Sequence, residues 1–418
     1  MSTPLGIRQA ERRLVLLTGT RWLPVGLTLG LTVLLPLERG LSLAQVGGLM
    51  ALAGFVSLAL ELPTGGLADT LGRRPLLLVA AAIAVTSTLL FLLADSAALF
   101  AVALVLQGVF RALDSGPLES WYVDAVHTVD PGSPIDRGLS RAGAVLGVSI
   151  AGGALVGGLL VAWHPVAAWS ALVLPFAVSI AAQLVHLVLT ASLVREPRRM
   201  RMRVGGTIAP EDRAGAVIAA ALRLLRESSV LRWLVAVEVF WAVAMIAFET
   251  LTPVRLAELV GGEQQAGALF GPAAAAAWAL FAVGSALAGL ASRRLGVAAT
   301  AMIARALNGL FVIAMGVVAG AVGLVVGFWL AYLTHGANGP MHNTLLHRQS
   351  GAKTRTLVLS VNSMVSAGAC SIALLVLLPL AEAASPAIAF VAAGAFSLIG
   401  VACYLPALRQ ERTAHAGG

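Results

Sequence analysis

The sequence predicts an all-α membrane protein with twelve transmembrane helices in two six-helix bundles. Three observations predict it. Of 418 residues, 59% are hydrophobic and only 11% charged, where an ordinary soluble domain carries roughly 25% charged residues. Apolar stretches near the ~20 residues that a membrane-crossing helix needs recur almost end to end. The arginines collect in alternate loops between those stretches, as topology signals do.

So few charges cannot cover a water-facing surface, and lipid is the expected solvent. The net charge of +8 does not indicate nucleic acid, because the basic residues sit in short clusters between apolar runs with no aromatic interleaving. Cys370 and Cys403 both lie inside apolar runs, so neither a structural disulfide nor a metal site is expected. The basic start, Arg8, Arg12 and Arg13, precedes an apolar run from about Leu14 to Leu37. That run is too long for a signal-peptide core and no small-residue cleavage site follows it, so a retained first helix is expected.

The apolar runs place helices at 14–37, 42–64, 75–94, 98–121, 139–162, 167–193, 231–254, 265–291, 298–318, 321–345, 355–379 and 387–408. Pro24, Pro117, Pro175 and Pro272 fall inside these runs, where neighbouring helices can satisfy the freed backbone groups. With the N-terminus inside, the inner loops hold Arg73–Arg74, Arg137–Arg141, Arg195–Arg213, Arg293–Arg294 and Arg348–Arg355. The opposite loops hold only Arg39 and Arg255. This asymmetry predicts an inner (plasma) membrane protein with both termini cytoplasmic.

The longest polar interruption spans 195–230 and opens with Arg195, Arg198, Arg199, Arg201 and Arg203. Ala214 to Arg226 then reads as an amphipathic helix on the inner membrane surface, with Arg223 and Arg226 on one side and leucines on another. The Arg run itself reads as a positive-inside clamp. The chain thereby divides into 1–194, a linker 195–230, and 231–418. A weak repeat supports the division: Gly65-Gly66-Leu67-Ala68-Asp69-Thr70-Leu71-Gly72 after the second helix and Gly289-Leu290-Ala291-Ser292-Arg293-Arg294-Leu295-Gly296 after the eighth share a Gly, Leu and Gly frame. Such repeats mark secondary transporters.

Gly65-x-Leu67-Ala68-Asp69-x-x-Gly72-Arg73-Arg74-Pro75 resembles the signature between helices 2 and 3 of the major facilitator superfamily, and with the six-plus-six layout the resemblance covers nearly the whole chain. It implies an inner gate in which Asp69 faces the start of helix 11 near Arg355, while Arg73 and Arg74 pair with Glu119 or Asp124 at the end of helix 4. Thr70 stands where the family often has a basic residue. Arg111-Ala112-Leu113-Asp114-Ser115-Gly116 resembles the helix 4 pattern of proton-coupled members, and the segment through Glu119, Ser120, Trp121 and Asp124 resembles a drug-exporter-like branch. In helix 5, Gly152-Gly153-Ala154-Leu155-Val156-Gly157-Gly158 is similar to an exporter's Gly-rich pattern, with Ala154 where the proline would be and small-residue helix packing as the alternative. Arg355-Thr356-Leu357-Val358-Leu359-Ser360 resembles the start of helix 11 in the same branch.

An intramembrane charge is costly and finds a partner. Arg111 and Asp114, three residues apart, are expected to meet, either as a pair that opens when Asp114 takes up a proton or as a permanent positioning pair. Arg21 either snorkels to the inner interface or faces the cavity and attracts an anion. Glu238 and Glu249, eleven residues apart, fall within roughly 20° of one another on helix 7, and either could carry a proton; Glu238, the deeper, is the stronger candidate, and Glu249 alternatively reaches the outer interface. In helix 9, Arg305 and Asn308 form a polar step from which Arg305 snorkels inward. In helix 10, His335, Asn338 and His342 fall at helical spacing, and Asn362 in helix 11 completes a cavity wall. Each of these has interhelical hydrogen bonding as its alternative.

No G-x-x-x-x-G-K-[ST], HExxH, GxSxG or CxxC pattern occurs, so nucleotide-driven transport and enzyme activity are disfavoured and no cofactor or metal is implied. The leading expectation is a secondary active transporter working by alternating access. It would couple protons to efflux of small, largely apolar molecules, as a monomer in the lipid bilayer with no nucleic-acid partner. A proton-linked importer of a small metabolite is the alternative, ahead of a non-transporting receptor or scaffold.

Overall fold

The computed structural model describes residues 5–65, 71–195, 214–351 and 354–416. Among the described residues the regular structure is helical throughout, and twelve segments are long and apolar enough to cross a membrane. They are α1 (Ile7–Glu38), α2 (Leu43–Glu61), α3 (Arg73–Leu93), α4 (Ala97–Val129), α5 (Asp136–Trp163), α6 (Val173–Leu193), α7 (Ser229–Val260), α8 (Glu263–Leu295), α9 (Val297–Val317), α10 (Gly320–Arg348), α11 (Leu357–Ala383) and α12 (Pro386–Thr413). The chain is a multi-pass membrane protein. A further helix, Ala214–Glu227, precedes α7. The basic run Arg198, Arg199, Arg201 and Arg203 lies outside the described residues.

The chain forms two compact units, Met1–Thr32 with Leu52–Ala209, and Val33–Ala51 with Pro210–Gly418. In the first, α1 lies along α5, and α3 is flanked by α4 and α6. Small residues make the α1–α5 approach possible: a Cβ on Gly26 would stand 2.3 Å from the Ile150 carbonyl oxygen, and one on Gly153 2.5 Å from that of Leu23. In the second unit α10 packs between α8 and α9, and α7 against α11. The α8–α10 seam is equally tight, with a Cβ on Gly284 placed 1.8 Å from the Leu333 carbonyl oxygen. Without a hydrophobic driving force between helices in lipid, this close contact is a main source of association.

Residues 33–51 belong with the second unit. There the Ala44 N–H, at the start of α2, donates to Glu382 Oε2 at 2.6 Å, and Gln264 Nε2 donates to Glu38 Oε1 at 2.8 Å. Gly47 lies against Leu374 and Leu378 of α11.

Several spans are broken, and the breaks follow local chemistry. α1 stops being helical at Thr28–Gly30, where Gly30 takes a left-handed φ of 76°. α4 is not one helix through Pro117, as its apolar run suggested. Its first half ends at Leu113, Gly116 turns left-handed at φ 91°, and Pro117 opens a second helix that continues to Val129. Proline suits a helix start, because the N–H it lacks would be unused there. In α7, Pro253 cannot donate to the carbonyl of Glu249. The helix widens into a π turn over Ala247–Leu251, and Thr252 Oγ1 donates to the Phe248 carbonyl at 2.5 Å.

Candidate functional site

In the first unit, the break in α4 places Asp114 at the end of a helix rather than within one. Its side chain is 5% exposed and forms an ion pair with Arg21 Nε of α1. The partner seen for Asp114 is thus Arg21, where the spacing had suggested Arg111. Asp114 caps the first half of α4, its N–H still bonded to the Phe110 carbonyl at 3.0 Å, and its buried carboxylate turns to α1 while Arg111 is exposed. Arg21 in turn does not extend along the helix to an interface: its guanidinium lies 4.2 Å from the Trp22 ring centre and 5.6 Å from that of Phe110. The ring faces favour the cation electrostatically. Beside it, Thr20 Oγ1 and His186 Nδ1 of α6 are 2.9 Å apart, and Thr190 is 3.4 Å from His186 Nε2. Sequence reasoning missed His186, although a lone imidazole in an apolar run was its available signal.

The gate residues are partly visible. Gly65 is the last residue of its helix, and Gly72, at φ 88°, precedes α3. Asp69 lies outside the described residues. Arg73 forms an ion pair with Asp124 and donates from Nη1 to the Ser120 carbonyl at 2.8 Å. Arg74 Nη2 donates to the Ala191 carbonyl at 2.8 Å. Glu119 and Arg355 are exposed. Of the two acids proposed for Arg73, the structure brings Asp124 to it.

The second unit gathers its polar residues more densely. Glu238 on α7 is 6% exposed and His342 on α10 is 4% exposed, with Glu238 Oε1 and His342 Nε2 3.0 Å apart. Asn362 of α11 donates from Nδ2 to Glu238 Oε1 at 3.3 Å, and its Oδ1 is 3.1 Å from His342 Nε2. Tyr404 of α12 completes the set, its hydroxyl 2.9 Å from His342 Nδ1. A neutral imidazole with its proton on Nε2 accepts from Tyr404 and donates toward Glu238, and a protonated one donates at both nitrogens. The group can therefore hold one more proton without breaking its geometry. Removing one partner of such a buried pair costs about 3–5 kcal/mol.

Glu249, in the π turn of α7, accepts from the Tyr332 hydroxyl of α10 at 3.1 Å. Both α7 carboxylates thus reach α10, at positions ten residues apart. His335 stacks on Trp241 with ring centres 5.3 Å apart and 19° between planes. Arg305 is 2% exposed, so it does not snorkel. α9 is enclosed by α10 and α12, and Arg305 faces that interior with its guanidinium 5.7 Å from the Trp241 ring centre. Asn308 Nδ2 donates to the Ala331 carbonyl at 2.9 Å, and Asn338 is 2% exposed.

Each unit therefore buries a carboxylate between its first and fourth spans, Asp114 of α4 with Arg21 of α1, and Glu238 of α7 with His342 of α10. A family model described as Major Facilitator Superfamily matches residues 14–374. No curated protein matches the chain. Among solved structures, a mutant of the nucleoside transporter NupG is similar with a TM-score of 0.79 at 12% identity, covering 95% of this chain and 99% of that one. A structure described as showing substrate recognition in proton dependent oligopeptide transporters has a TM-score of 0.74 at 14% identity, covering 98% and 100%. A mutant of the peptide transporter POT has a TM-score of 0.70 at 16% identity, covering 97% and 95%. At such identities the likeness carries the fold alone.

Proposed function

We propose, for a chain that belongs to the major facilitator superfamily and is a transporter rather than an enzyme, that it couples proton movement to the export of small, largely apolar molecules. The observation that carries this reading is the pair of buried carboxylates, each held against a cation or a titratable imidazole by a neighbouring span. A carboxylate can give up its ion-pair partner only if it takes a proton or finds another partner, because an unpaired buried charge is costly. Protonation of Asp114 or Glu238 thereby releases contacts between spans and biases one conformation over another. The two halves, 1–194 and 231–418 joined by the linker 195–230, alternate access to a site near the midplane. Protonation supplies the differential free energy that such a shift requires.

Arg111 belongs to the same coupling region by its position one turn before Asp114. The signature supports an inner latch that uses Asp69 and Arg355, and the Arg73–Asp124 ion pair supports the part of it that lies in the first unit. Export, rather than uptake, is supported by the exporter-like patterns of helices 4, 5 and 11. The arginine asymmetry between alternate loops supports an orientation with both termini cytoplasmic, in the plasma membrane on this reading. A monomer fits this reading, because one chain carries both of the halves that alternating access needs.

Reconstitution into proteoliposomes with an imposed pH gradient tests the reading against a panel of neutral, cationic and anionic compounds. Asp114→Asn and Glu238→Gln should each retain counterflow exchange of a cargo that the wild type moves. At least one should lose accumulation driven by the gradient. Unchanged gradient-driven accumulation in both variants would remove the proton assignment.

A further inference from the structure

The interior of the second unit holds a cation, Arg305, that reaches Tyr404 and the field of Glu238 and still keeps donors to spare. Arg305 lies eight residues beyond Val297, roughly 12 Å along α9, and is 2% exposed. Its Nε and Nη1 have no hydrogen-bond partner among the described residues. Glu238 is near enough to feel its charge but is engaged with His342 and Asn362. α9 and α10 are consecutive and antiparallel. Because Asn308 bonds the Ala331 carbonyl, the position one turn earlier on α9 falls opposite His335, which feels the Arg305 charge, and Asn338 follows His335 by three residues on the same face of α10. His335 Nδ1 and both amide atoms of Asn338, itself 2% exposed, also lack partners among the described residues.

Buried polar atoms left in this condition cost about 1–3 kcal/mol each, and a charged group more. Donors dominate: guanidinium offers only N–H groups, and the amide adds two. The complementary group is an anion with several acceptor positions. A planar carboxylate matches a guanidinium best. The neighbourhood is otherwise aromatic. Trp241 stacks on His335, and the rings of Phe281 and Phe248 are centred 5.2 Å and 5.6 Å from it. A flat apolar body attached to the carboxylate would lie against these rings, while a cationic compound would meet the field of Arg305.

We propose that Arg305 and Asn338, with Trp241 and His335 beside them, bind the carboxylate of an amphipathic organic acid, and that such acids are the transported class. This rests on the transporter reading and narrows its cargo. Trp241 and His335 are half-buried, and the Arg305 guanidinium lies 5.7 Å from the Trp241 ring centre.

The test is binding of 2-naphthoate and of its neutral isostere 2-naphthamide to the purified full-length protein, measured by calorimetry. Naphthoate should bind at least about tenfold more tightly, a difference of about 1.4 kcal/mol. Arg305→Gln should bring the two probes to equal affinity, and Arg305→Lys should restore part of the preference. Should Arg305→Gln fail to fold, Asn338→Ala still decides the matter. It removes two atoms that bond nothing in the protein, so it should weaken naphthoate binding without lowering thermal stability. Equal affinity of the probes for the wild type, or a preference that survives both substitutions, overturns the proposal. The two readings separate in proteoliposomes. Gradient-driven movement of neutral compounds with no carboxylate preference sinks the anion site and leaves the transporter reading standing. Naphthoate preference without any gradient-driven movement does the reverse.

Discussion

Replacing Arg21 by glutamine strands the Asp114 carboxylate in a position where its side chain is 5% exposed. Loss of one partner from a buried pair costs about 3–5 kcal/mol. Arg21 also sits 4.2 Å over Trp22, a contact that contributes about 0.5–1 kcal/mol more when partly desolvated. Asp114→Asn keeps that contact and leaves a cation that is 17% exposed, so it should cost less, by about 1 kcal/mol or more on the same reasoning. The double variant holds no unpaired charge, and Gln and Asn can hydrogen-bond. Its loss should fall short of the sum of the single losses by about 2–3 kcal/mol, within the range seen for directly coupled residues. Thermal unfolding in detergent, followed by intrinsic fluorescence, reads this as a shift of about 2–4 °C per kcal/mol for a unit of this size. Arg21→Gln should therefore lower Tm by about 10 °C, with much of the loss regained in the double variant. Single effects that add to within about 0.5 kcal/mol would mean that the two side chains do not interact, and the account of the first unit's polar centre would fail.

Three further outcomes are expected. Gly153→Val places side-chain atoms where a Cβ alone would stand 2.5 Å from the Leu23 carbonyl oxygen. Overpacking of this kind costs at least about 1–3 kcal/mol, and the monodisperse yield on size exclusion should fall sharply, whereas Gly143→Ala, at a site with open space, should leave it unchanged. Tyr332→Phe removes the hydrogen bond to Glu249 and should lower stability by about 1 kcal/mol, checked by the same thermal scan. Glu411 accepts from the Val297 and Ala298 N–H groups that open α9 and pairs with Arg348 at 2.7 Å. Glu411→Gln should cost about 1 kcal/mol, with faster amide exchange confined to the first turn of α9.

The spans were legible because a membrane-crossing helix is written in length and hydropathy, which need no knowledge of neighbours. The break in α4 was written too, in Ser115-Gly116-Pro117, but a proline inside an apolar run is compatible with either a tolerated kink or a new helix start. The choice depends on whether Gly116 turns left-handed. Arg21 and Asp114 were singled out separately, yet their partnership joins residues 93 positions apart, and spacing along one helix favoured Arg111 instead. Arg305 illustrates the same limit. Near the end of an apolar run its long side chain could reach water. Only the rotation of α9 about its own axis, set by contacts with α10 and α12, decides that it points inward. Glu238 was the reverse case, since depth alone marked it, while Tyr404 and His186 carried no signal beyond being polar in an apolar run.

The grouping of Val33–Ala51 with the second unit bears on how the polypeptide can be divided. A fragment ending before the basic linker would carry this stretch away from the groups that satisfy it. The Ala44 amide would lose Glu382, Glu38 would lose Gln264, and the bare backbone at Gly47 would no longer be sheltered by Leu374 and Leu378. The first six crossings made alone would thus present an unsheltered hairpin. Fragments 1–194 and 214–418 should accumulate in cells only when synthesised together, each acting as chaperone for the other.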